Sequence, residues 1–237
     1  MIVTPLSDTR MERQDEHLRA ATLGLLCHDE RLRGLDVDVC FRHGVAHLTG
    51  SVASHERLAV LRELVGQLAG VLAVWDRVTV AGRQPTILDL GCGETKQYPG
   101  NIGVDMRATP SVDVVGDLTD GLPFPDGSAD RIFAVHVLEH LIDFLPLVDE
   151  CHRVLRPGGV LHVLSPWWRY VNAVADPTHV RLLDVQTIKG ICARPGSDRR
   201  WYPLHTGCDG ASVFADLTPL AEDDPNPPPE HMARFFD

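Results

Sequence analysis

The sequence lacks any cluster of lysine and arginine, and its 22 basic side chains are outnumbered by 33 acidic ones, which gives a formal net charge of -11. Nonspecific binding to nucleic acid depends on clustered basic side chains that neutralise phosphates. We therefore expect no nucleic-acid partner. With 237 residues, of which 44% are hydrophobic, the chain is long enough for two small domains or one large one.

The sequence also lacks a C-x-x-C pair, an apolar run long enough to cross a membrane, and the apolar N-terminal segment of a signal peptide. Its six scattered cysteines are typical of a reducing compartment, so we expect a cytoplasmic protein without integral membrane segments. A zinc site from Cys192, His205 and Cys208 is the alternative use of these side chains, although their spacing is irregular and a fourth ligand is missing.

The N-terminal third has the pattern of a small α+β unit. Helical spacing of apolar residues covers 12–26, and alternating apolar and polar residues over 34–52 predict two strands. Residues 54–70, "SHERLAVLRELVGQLAG", have the start and stop signals of a helix. A third strand at 71–80 completes the predicted order αββαβ.

Two stretches of this unit resemble the BON domain, a small module of bacterial envelope and osmotic-stress proteins. In "HGVAHLTGSV" the glycines Gly44 and Gly50 fit the family's turn and strand end, and in "LAGVLAVWDRVTV" the pair Gly70 and Val71 fits its Gly-Val signature. The resemblance implies binding to a membrane, an envelope component or a partner protein. The alternative is that residues 1–81 only mediate assembly, including formation of a homo-oligomer, or present a substrate.

Beyond a short Gly/Pro linker, residues 82–220 have the pattern of an α/β domain. Short apolar runs separated by loops or helical segments predict a parallel sheet. The clearest helix is "IDFLPLVDECHRVL", which "RPGG" ends, while "RRWYPLHTG" and "ASVFADL" predict two final antiparallel strands. The Pro-rich acidic tail, 221–237, is predicted to lack fixed structure up to Phe235 and Phe236, which dock.

The stretch "ILDLGCG" predicts a buried strand that ends in a G-x-G turn, where a ligand approaches the backbone closely. Lys96 stands where a dinucleotide fingerprint needs a third glycine, and no GK[ST] follows, so a pyrophosphate is a poor fit. Asp89, Asp105 and Asp117 lie at successive strands, although each alone could cap a helix or belong to a turn. Together they suit a ligand with a cationic end, a ribose and an adenine but no phosphate, which is S-adenosylmethionine.

The order "ILDLGCG", "IGVD", "VVGDL", "PFPDGSADRIFAVHVLEHL" and "VLRPGGVLHVLSP" resembles the class I S-adenosylmethionine-dependent methyltransferases of the small-molecule type. The resemblance implies a Rossmann-like sheet and these cofactor contacts: Asp89, Gly91, Cys92, Gly93, Asp105, Met106, Asp117, Leu118 and His136. Asp89 would engage the methionine end through water, Asp105 the ribose, and Asp117 with the Leu118 amide the adenine. The implied acceptor is a small molecule or a peptide.

Methyl transfer is an in-line displacement that mainly needs alignment of the reactants and exclusion of water. His136, His140 and His179 are the candidates for a base, because imidazole titrates near neutrality. If a helix begins at His136, then His136, Glu139 and His140 share a face that could hold a divalent cation, an arrangement similar to that of some quinone O-methyltransferases. The alternative, in which Glu139 and His140 cap the helix without metal, is the one we favour.

The segment "SPWWRYVNAVADPTHVRLLD" follows the fifth strand, where α/β sheets place their substrates. Trp167, Trp168 and Tyr170 are candidates for the wall of an acceptor pocket, and Asp176 and Arg181 for its polar contacts. Equally, the two tryptophans could pack the C-terminal segment.

Two rival functions remain open at this point. One is a binding protein that senses the cofactor without turnover and engages a membrane or partner through its BON-like part. The other is a nicotinamide-dependent oxidoreductase, which the residue at position 96 disfavours.

Overall fold

The computed structural model describes residues 8–236 and separates into two compact units, with the boundary between Pro85 and Thr86. All six cysteines lie in this part of the chain and are unpaired. None of the helices within residues 8–236 combines the length and the apolar character that crossing a bilayer requires.

The first unit is a four-stranded sheet with two helices. Its elements are α1 (Asp8–His28), β1 (Asp36–Arg42), β2 (Val45–Val52), α2 (His55–Gly66), β3 (Ala73–Asp76) and β4 (Thr79–Val80). β1 and β2 pair antiparallel across the turn at His43 and Gly44, where both residues have positive φ, and β3 and β4 each pair parallel to β2. The predicted order αββαβ is confirmed, except that its last strand is divided in two.

The division of that strand follows from the side chain of Asp76, which is fully buried. Its carboxylate accepts a hydrogen bond from the amide of Val78 at 3.4 Å and forms an ion pair with Arg62 at 2.7 Å. A carboxylate that bonds to the backbone two residues ahead favours a turn over a continuous strand. The chain therefore leaves β3 and rejoins β2 as β4.

The second unit contains a seven-stranded sheet. Its elements are β5 (Ile87–Leu90), β6 (Ile102–Asp105), β7 (Val114–Val115), β8 (Ala129–Val135), α3 (Leu145–Val154), β9 (Leu155–Pro166), α4 (Val171–Ala175), α5 (Val185–Cys192), β10 (Trp201–Cys208), β11 (Ser212–Pro219) and α6 (Pro229–Phe236). The strand order is β10-β11-β9-β8-β5-β6-β7. Strands β5 to β9 pair parallel, and β10 and β11 are antiparallel. The predicted α/β fold class, a Rossmann-like sheet behind a small α+β unit, is confirmed.

The position of β5 fixes where a ligand can bind. β5 lies between β6 and β8, so the chain leaves it on one side and later returns on the other. Open parallel sheets bind ligands outside the carboxyl ends of their strands at such a switch point. The loops that follow β5, β6 and β8 therefore form the candidate site. Between β5 and β6 the described chain contains turns and no helix.

The tail differs from its prediction. Part of it forms α6. The loop before α6 is held by the guanidinium of Arg200, which donates hydrogen bonds to the carbonyl oxygens of Ala221, Glu222 and Asp224. The expectation that residues before Phe235 lack fixed structure is therefore wrong. The predicted docking is confirmed for Phe236, which is buried in the core of the second unit.

Candidate active site

The turn after β5 has the backbone that its glycines suggest. Gly91 and Gly93 have φ of 60° and 54°, in the left-handed region that favours glycine. A Cβ atom at Gly91 would lie 2.9 Å from Cγ2 of Val137, which is too close for a carbon contact. Gly91 is therefore required both by its conformation and by the residue packed against it.

Asp105, at the end of β6, holds this turn in place. Its Oδ2 accepts from the amide of Gly93 at 2.9 Å, and its Oδ1 accepts from the amide of Arg107 at 2.9 Å. Burial would raise the pKa of Asp105, but the hydrogen bonds from these two amides, together with the charge and side-chain hydrogen bond of Arg107, outweigh burial and lower it. The carboxylate is therefore ionised at neutral pH and is a strong hydrogen-bond acceptor.

Asp89, the acidic residue of β5, faces the loop that replaces a helix between β5 and β6. It is buried, and its Oδ2 accepts from the amide of Gln97 and, at 3.2 Å, from Nδ2 of Asn101. Burial raises the pKa of Asp89 above its ordinary value. In the same loop Lys96 donates to the carbonyl of Asn101 at 2.9 Å. Asp89 thus anchors the loop between β5 and β6.

Asp117 caps a turn and also lines the cleft described next. It caps a 3-10 helix, Leu118–Asp120, because its Oδ1 accepts from the amide and the hydroxyl of Thr119 at 2.9 and 2.7 Å. These bonds lower the pKa of Asp117. Both bonds use Oδ1.

A cleft of about 470 Å³ lies at the carboxyl ends of β5, β6 and β8. It is lined by Gly91, Asp105, Met106, Arg107, Asp117, Leu118, His136, Val137, His140, Leu141 and Thr178. Most of the residues predicted to contact the cofactor are in this set. Asp89, Cys92 and Gly93 are outside it, since Asp89 and Cys92 are buried behind the turn and Gly93 bonds to Asp105.

Sequence reasoning missed four residues of the lining: Arg107, Val137, Leu141 and Thr178. Arg107 and Val137 directly follow predicted contacts, so the position next to each contact was the available signal. Thr178 lies within the quoted "DPTH" but was not assigned to the cofactor side. Its hydroxyl donates to Oδ1 of Asp176 at 2.6 Å and lies 3.1 Å from Nδ1 of His140.

His136 follows β8 and has an unusual backbone for a residue with a side chain. Its φ is 56°, and its amide donates to the carbonyl of Leu164 at 2.8 Å. Its Nδ1 lies 3.0 Å from Oε1 of Glu139. No helix begins at His136, because only a 3-10 turn, Leu138–His140, follows. The helical face proposed for His136, Glu139 and His140 is therefore not formed.

Glu139 is a buried acid, with 1% of its surface exposed. Its Oε2 accepts from the hydroxyl of Ser165 at 2.8 Å, and its carbonyl accepts from the amides of Val180 and Arg181 at 2.9 and 3.1 Å. Burial would raise the pKa of Glu139, but hydrogen bonds from His136, from its own amide and from Ser165 outweigh burial and lower it. Glu139 is therefore held as a carboxylate.

One group of potential metal ligands occurs in the described residues: Glu139, His140 and His179, whose ligand atoms lie within 4.8 Å of one another. Both carboxylate oxygens of Glu139 accept hydrogen bonds in this structure. We assign Glu139 to hydrogen bonding, and the absence of a metal there stays a prediction. The alternative zinc set, Cys192, His205 and Cys208, does not form such a group within residues 8–236.

A second pocket, of about 420 Å³, adjoins the cleft. It is lined by His136, His140, Pro166, Asn172, Ala175, Asp176 and His179. His136 and His140 line both spaces and therefore stand where the two meet. The structure thus brings the three predicted base candidates to one place. Five of its seven lining residues carry polar side chains.

The other predicted acceptor contacts are outside this lining. The indole N–H groups of Trp167 and Trp168 both donate to Oδ2 of Asp184, at 2.9 and 3.0 Å, and the guanidinium of Arg169 lies 4.6 Å from the ring of Trp168. Arg181 donates to the carbonyl of Ile142 at 2.6 Å. These bonds stabilise the segment that follows β9. Trp168 remains partly exposed, and Tyr170 precedes α4.

Two protein families match this chain, one in each unit. Residues 99–163 match the methyltransferase domain family, and residues 14–82 match the BON domain family. A probable S-adenosylmethionine-dependent methyltransferase of Mycolicibacterium smegmatis is 41% identical over 161 residues, which are 60% of this chain and 51% of that protein. Another, of Mycobacterium tuberculosis, is 33% identical over 112 residues, 39% of this chain and 40% of that protein.

Solved structures are similar to part of this chain. The crystal structure of an S-adenosylmethionine-dependent methyltransferase from Aquifex aeolicus aligns with 56% of this chain and 81% of its own, at 18% identity and a TM-score of 0.42. The chain spans about half the length, or less, of the curated relatives named above.

Proposed function

We propose that this chain, in which a BON domain precedes a class I S-adenosylmethionine-dependent methyltransferase domain, transfers a methyl group to a small-molecule or peptide acceptor. One observation carries the proposal. The Gly91 turn, the carboxylates of Asp105 and Asp117 and the ring of His136 line a single cleft at the switch point of the sheet. We further propose that the protein acts in the cytoplasm, as its unpaired cysteines suggest.

The residues present suit S-adenosylmethionine. Gly91 has no Cβ atom, so a ligand can approach its backbone closely. The two carboxylates with lowered pKa suit ribose hydroxyls and an adenine amino group, which both donate hydrogen bonds. Lys96 is paired with Asp113 and is absent from the lining of the cleft, so it offers no phosphate contact there.

Each cofactor contact is part of the proposal. Asp105 and Met106 are assigned to the ribose side, and Asp117 and the amide of Leu118 to the adenine. Gly91, Cys92 and Gly93 form the turn beneath the methionine end. Asp89 reaches that end through water while it anchors the loop.

S-adenosylmethionine supplies a methyl group on a sulfonium, whose departure leaves a neutral thioether. The protein has to align the acceptor with that group and exclude water. The second pocket meets the cleft at His136 and His140, so an acceptor bound there lies next to the cofactor side. His136, His140 and His179 are its candidate bases.

The acceptor contacts are proposed on less direct grounds. Asp176 lines the second pocket. The indole N–H groups of Trp167 and Trp168 both donate to Asp184, so any contact with an acceptor uses their ring faces. Tyr170 and Arg181 complete the proposed set.

For the first unit we propose an interaction role over residues 1–81, with a partner protein or a second copy of this chain as the bound molecule. The catalytic domain is assigned to 82–220 and the tail to 221–237. Size-exclusion chromatography with light scattering tests self-association directly.

The function is tested by formation of S-adenosylhomocysteine. The full chain is incubated with S-adenosylmethionine and separate pools of phenols, alcohols, amines, thiols, carboxylic acids and peptides, and the product is quantified by mass spectrometry. We expect product that depends on one pool and that Asp105→Ala reduces. Cofactor binding without product in every pool would instead support a sensing protein.

A further inference from the structure

The geometry points to Glu139 as a positioning residue that orients His136 to take a proton from an acceptor hydroxyl, a phenol or an alcohol. This inference rests on the proposed function and names the class of acceptor. The pair is His136 Nδ1 and Glu139 Oε1, 3.0 Å apart. The ring of His136 lies at the junction of the cleft and the second pocket.

Glu139 is built to hold one orientation. Its side chain is buried, Ser165 on β9 donates to its other oxygen, and its carbonyl accepts the amides of Val180 and Arg181. The strand β9 and the segment after α4 therefore fix the same residue. A carboxylate only accepts hydrogen bonds, so the proton between the two residues belongs to Nδ1 of His136. In the neutral ring Nε2 then carries the lone pair.

The backbone of His136 supports a functional assignment. A residue other than glycine in the left-handed region costs on the order of 1 kcal/mol or more, and such conformations concentrate at functional sites. Here two hydrogen bonds hold the residue, one from its backbone amide to the carbonyl of Leu164 and one from its side chain to Glu139.

The other two imidazoles of the pocket are held differently. Nδ1 of His140 lies 3.2 Å from the carbonyl of Thr178, and Nδ1 of His179 lies 3.3 Å from the carbonyl of Ala173. A carboxylate does approach His179, but Asp176 is 3.8 Å away and half-exposed. A neutral carbonyl or a distant acid stabilises a developing imidazolium less than a buried carboxylate at hydrogen-bond distance. His136 is therefore the best-supported base.

A base of this kind is needed by a hydroxyl. A phenol has an ordinary pKa of about 10 and is almost fully protonated at neutral pH, whereas carboxylates are already ionised there. In the step, Nε2 of His136 takes the hydroxyl proton while the oxygen forms its bond to the methyl carbon. The carbon–sulfur bond breaks and its electron pair stays on sulfur as the neutral thioether. The imidazolium then returns its proton to water.

Other charged groups share the two spaces with His136. They are Asp105, Arg107, Asp117 and His140 in the cleft and Asp176 and His179 in the pocket. A pH profile therefore reports on several groups, and the decisive readout has to be specific to one ring.

That readout is the tautomer of His136, measured by ¹⁵N NMR on protein labelled at histidine. His136→Asn assigns the signal, because it removes one set of resonances. We expect the neutral ring to carry its proton on Nδ1, and Glu139→Gln to change this distribution, since an amide can donate as well as accept. A proton on Nε2, or a tautomer that Glu139→Gln leaves unchanged, would overturn the inference.

Kinetics with two phenols provide a second readout. Glu139→Gln and His136→Asn should lower kcat about 100-fold for an unsubstituted phenol, in the range of general-base contributions. Both should retain most turnover of a nitrophenol that is already ionised at the assay pH, and Glu139→Asp should recover part of the loss. Glu222→Gln, an exposed acid outside the site, is the matched control. Equal losses with both phenols, or turnover of amines or carboxylic acids alone, would contradict the assignment.

Failure of the inference differs from failure of the proposed function. If the wild-type chain does not bind S-adenosylmethionine in a calorimeter, the proposed function fails, and the NMR experiment still decides whether the pair exists. If the chain binds the cofactor but transfers methyl to none of the acceptors, the tautomer measurement alone decides whether Glu139 orients His136.

Discussion

The amide of Gly93 donates a hydrogen bond of 2.9 Å to Oδ2 of Asp105, and this bond ties the turn after β5 to the end of β6. The two strands are neighbours in the sheet. A chain with no helix between them thus keeps its glycine turn beside an ionised carboxylate. The loop between the two strands is held instead by Asp89, whose carboxylate accepts a hydrogen bond from the amide of Gln97.

Replacement of Asp105 should weaken cofactor binding more than replacement of a neighbouring acid. Hydrogen bonds to charged groups contribute about 1.5–3 kcal/mol, so Asp105→Ala should raise the Kd for S-adenosylhomocysteine roughly 10- to 100-fold. Asp113→Ala is the control, because Asp113 also binds a backbone amide, that of Gly103, but lies outside the lining of the cleft. Calorimetry measures both, and equal losses would indicate a general effect on the fold.

A side chain at position 91 should destabilise the second unit. Gly91→Ala places Cβ 2.9 Å from Val137 Cγ2 and requires a left-handed residue, which costs about 1–2 kcal/mol. Urea unfolding should show at least that loss, whereas Gly100→Ala, with open space around it, should show little. Combining Gly91→Ala with Val137→Ala relieves the contact but not the conformation. Unchanged stability of the single variant would argue against the turn described here.

The loop that carries Asp117 should respond to acid through Glu150. This carboxylate binds the amide of Leu122 at 2.9 Å and Arg153 at 2.7 Å, and the hydrogen bond from Arg153 is the main reason that its pKa falls from 4.5 to about 2. Since the folded pKa is depressed, its contribution is present above pH 4.5 and is lost as the pH falls towards 2. Glu150→Gln should therefore lower the Tm at neutral pH.

The corresponding measurement is thermal unfolding of wild type and Glu150→Gln across this range. The difference in Tm should be constant above pH 4.5 and shrink as the pH falls towards 2. Asp223→Asn, at an exposed position of the tail, is the control. A difference that persists unchanged at the acidic end would show that the charge of Glu150 is not involved.

Divalent metals should have no effect on the site. Both carboxylate oxygens of Glu139 accept hydrogen bonds, from His136 and Ser165, and a cation would compete with these donors for the carboxylate. Titration with Mg²⁺, Mn²⁺ and Zn²⁺, and removal of metals with a chelator, should leave cofactor binding and turnover unchanged. A stoichiometric binding signal that His179→Ala abolishes would show that Glu139, His140 and His179 form a metal site after all.

The sequence predicted the parts of the fold that local pattern determines. Buried strands such as β5 and β8 are continuous apolar runs, and the pair β10 and β11 was recognisable on either side of a turn. The helix α3 begins later than predicted, at Leu145, with Pro146 in its first turn, where proline is tolerated. Local pattern fixed the type of these elements better than their ends.

Features that depend on distant contacts were not predictable. The docking of Phe236 in the core was predicted, but the side chain of Gln186, which donates to the carbonyl of Phe236 and helps to hold α6, left no local signal. The buried bond of 2.7 Å between His162 and Asp216 joins opposite residues of β9 and β11. It becomes visible only when the two strands are paired.

The candidate site shows the same division. Spacing identified Asp105 and Asp117 because strand ends are readable from the sequence. The partnership of His136 with Glu139 depends on a left-handed residue and on Ser165 from another strand. The helical spacing suggested that His136, Glu139 and His140 share a face for a metal. No helix begins at His136, so that face is not formed.

The central claim, that the cleft holds S-adenosylmethionine, is tested most directly by thermal shift of the full chain. At 100-fold excess over Kd a ligand stabilises by about 2.7 kcal/mol, which should raise the Tm of the second unit by several degrees. S-adenosylmethionine and S-adenosylhomocysteine are predicted to produce this shift, and NAD and NADP are predicted to produce none. A larger shift with NAD or NADP, or none with the adenosyl ligands, would contradict the account.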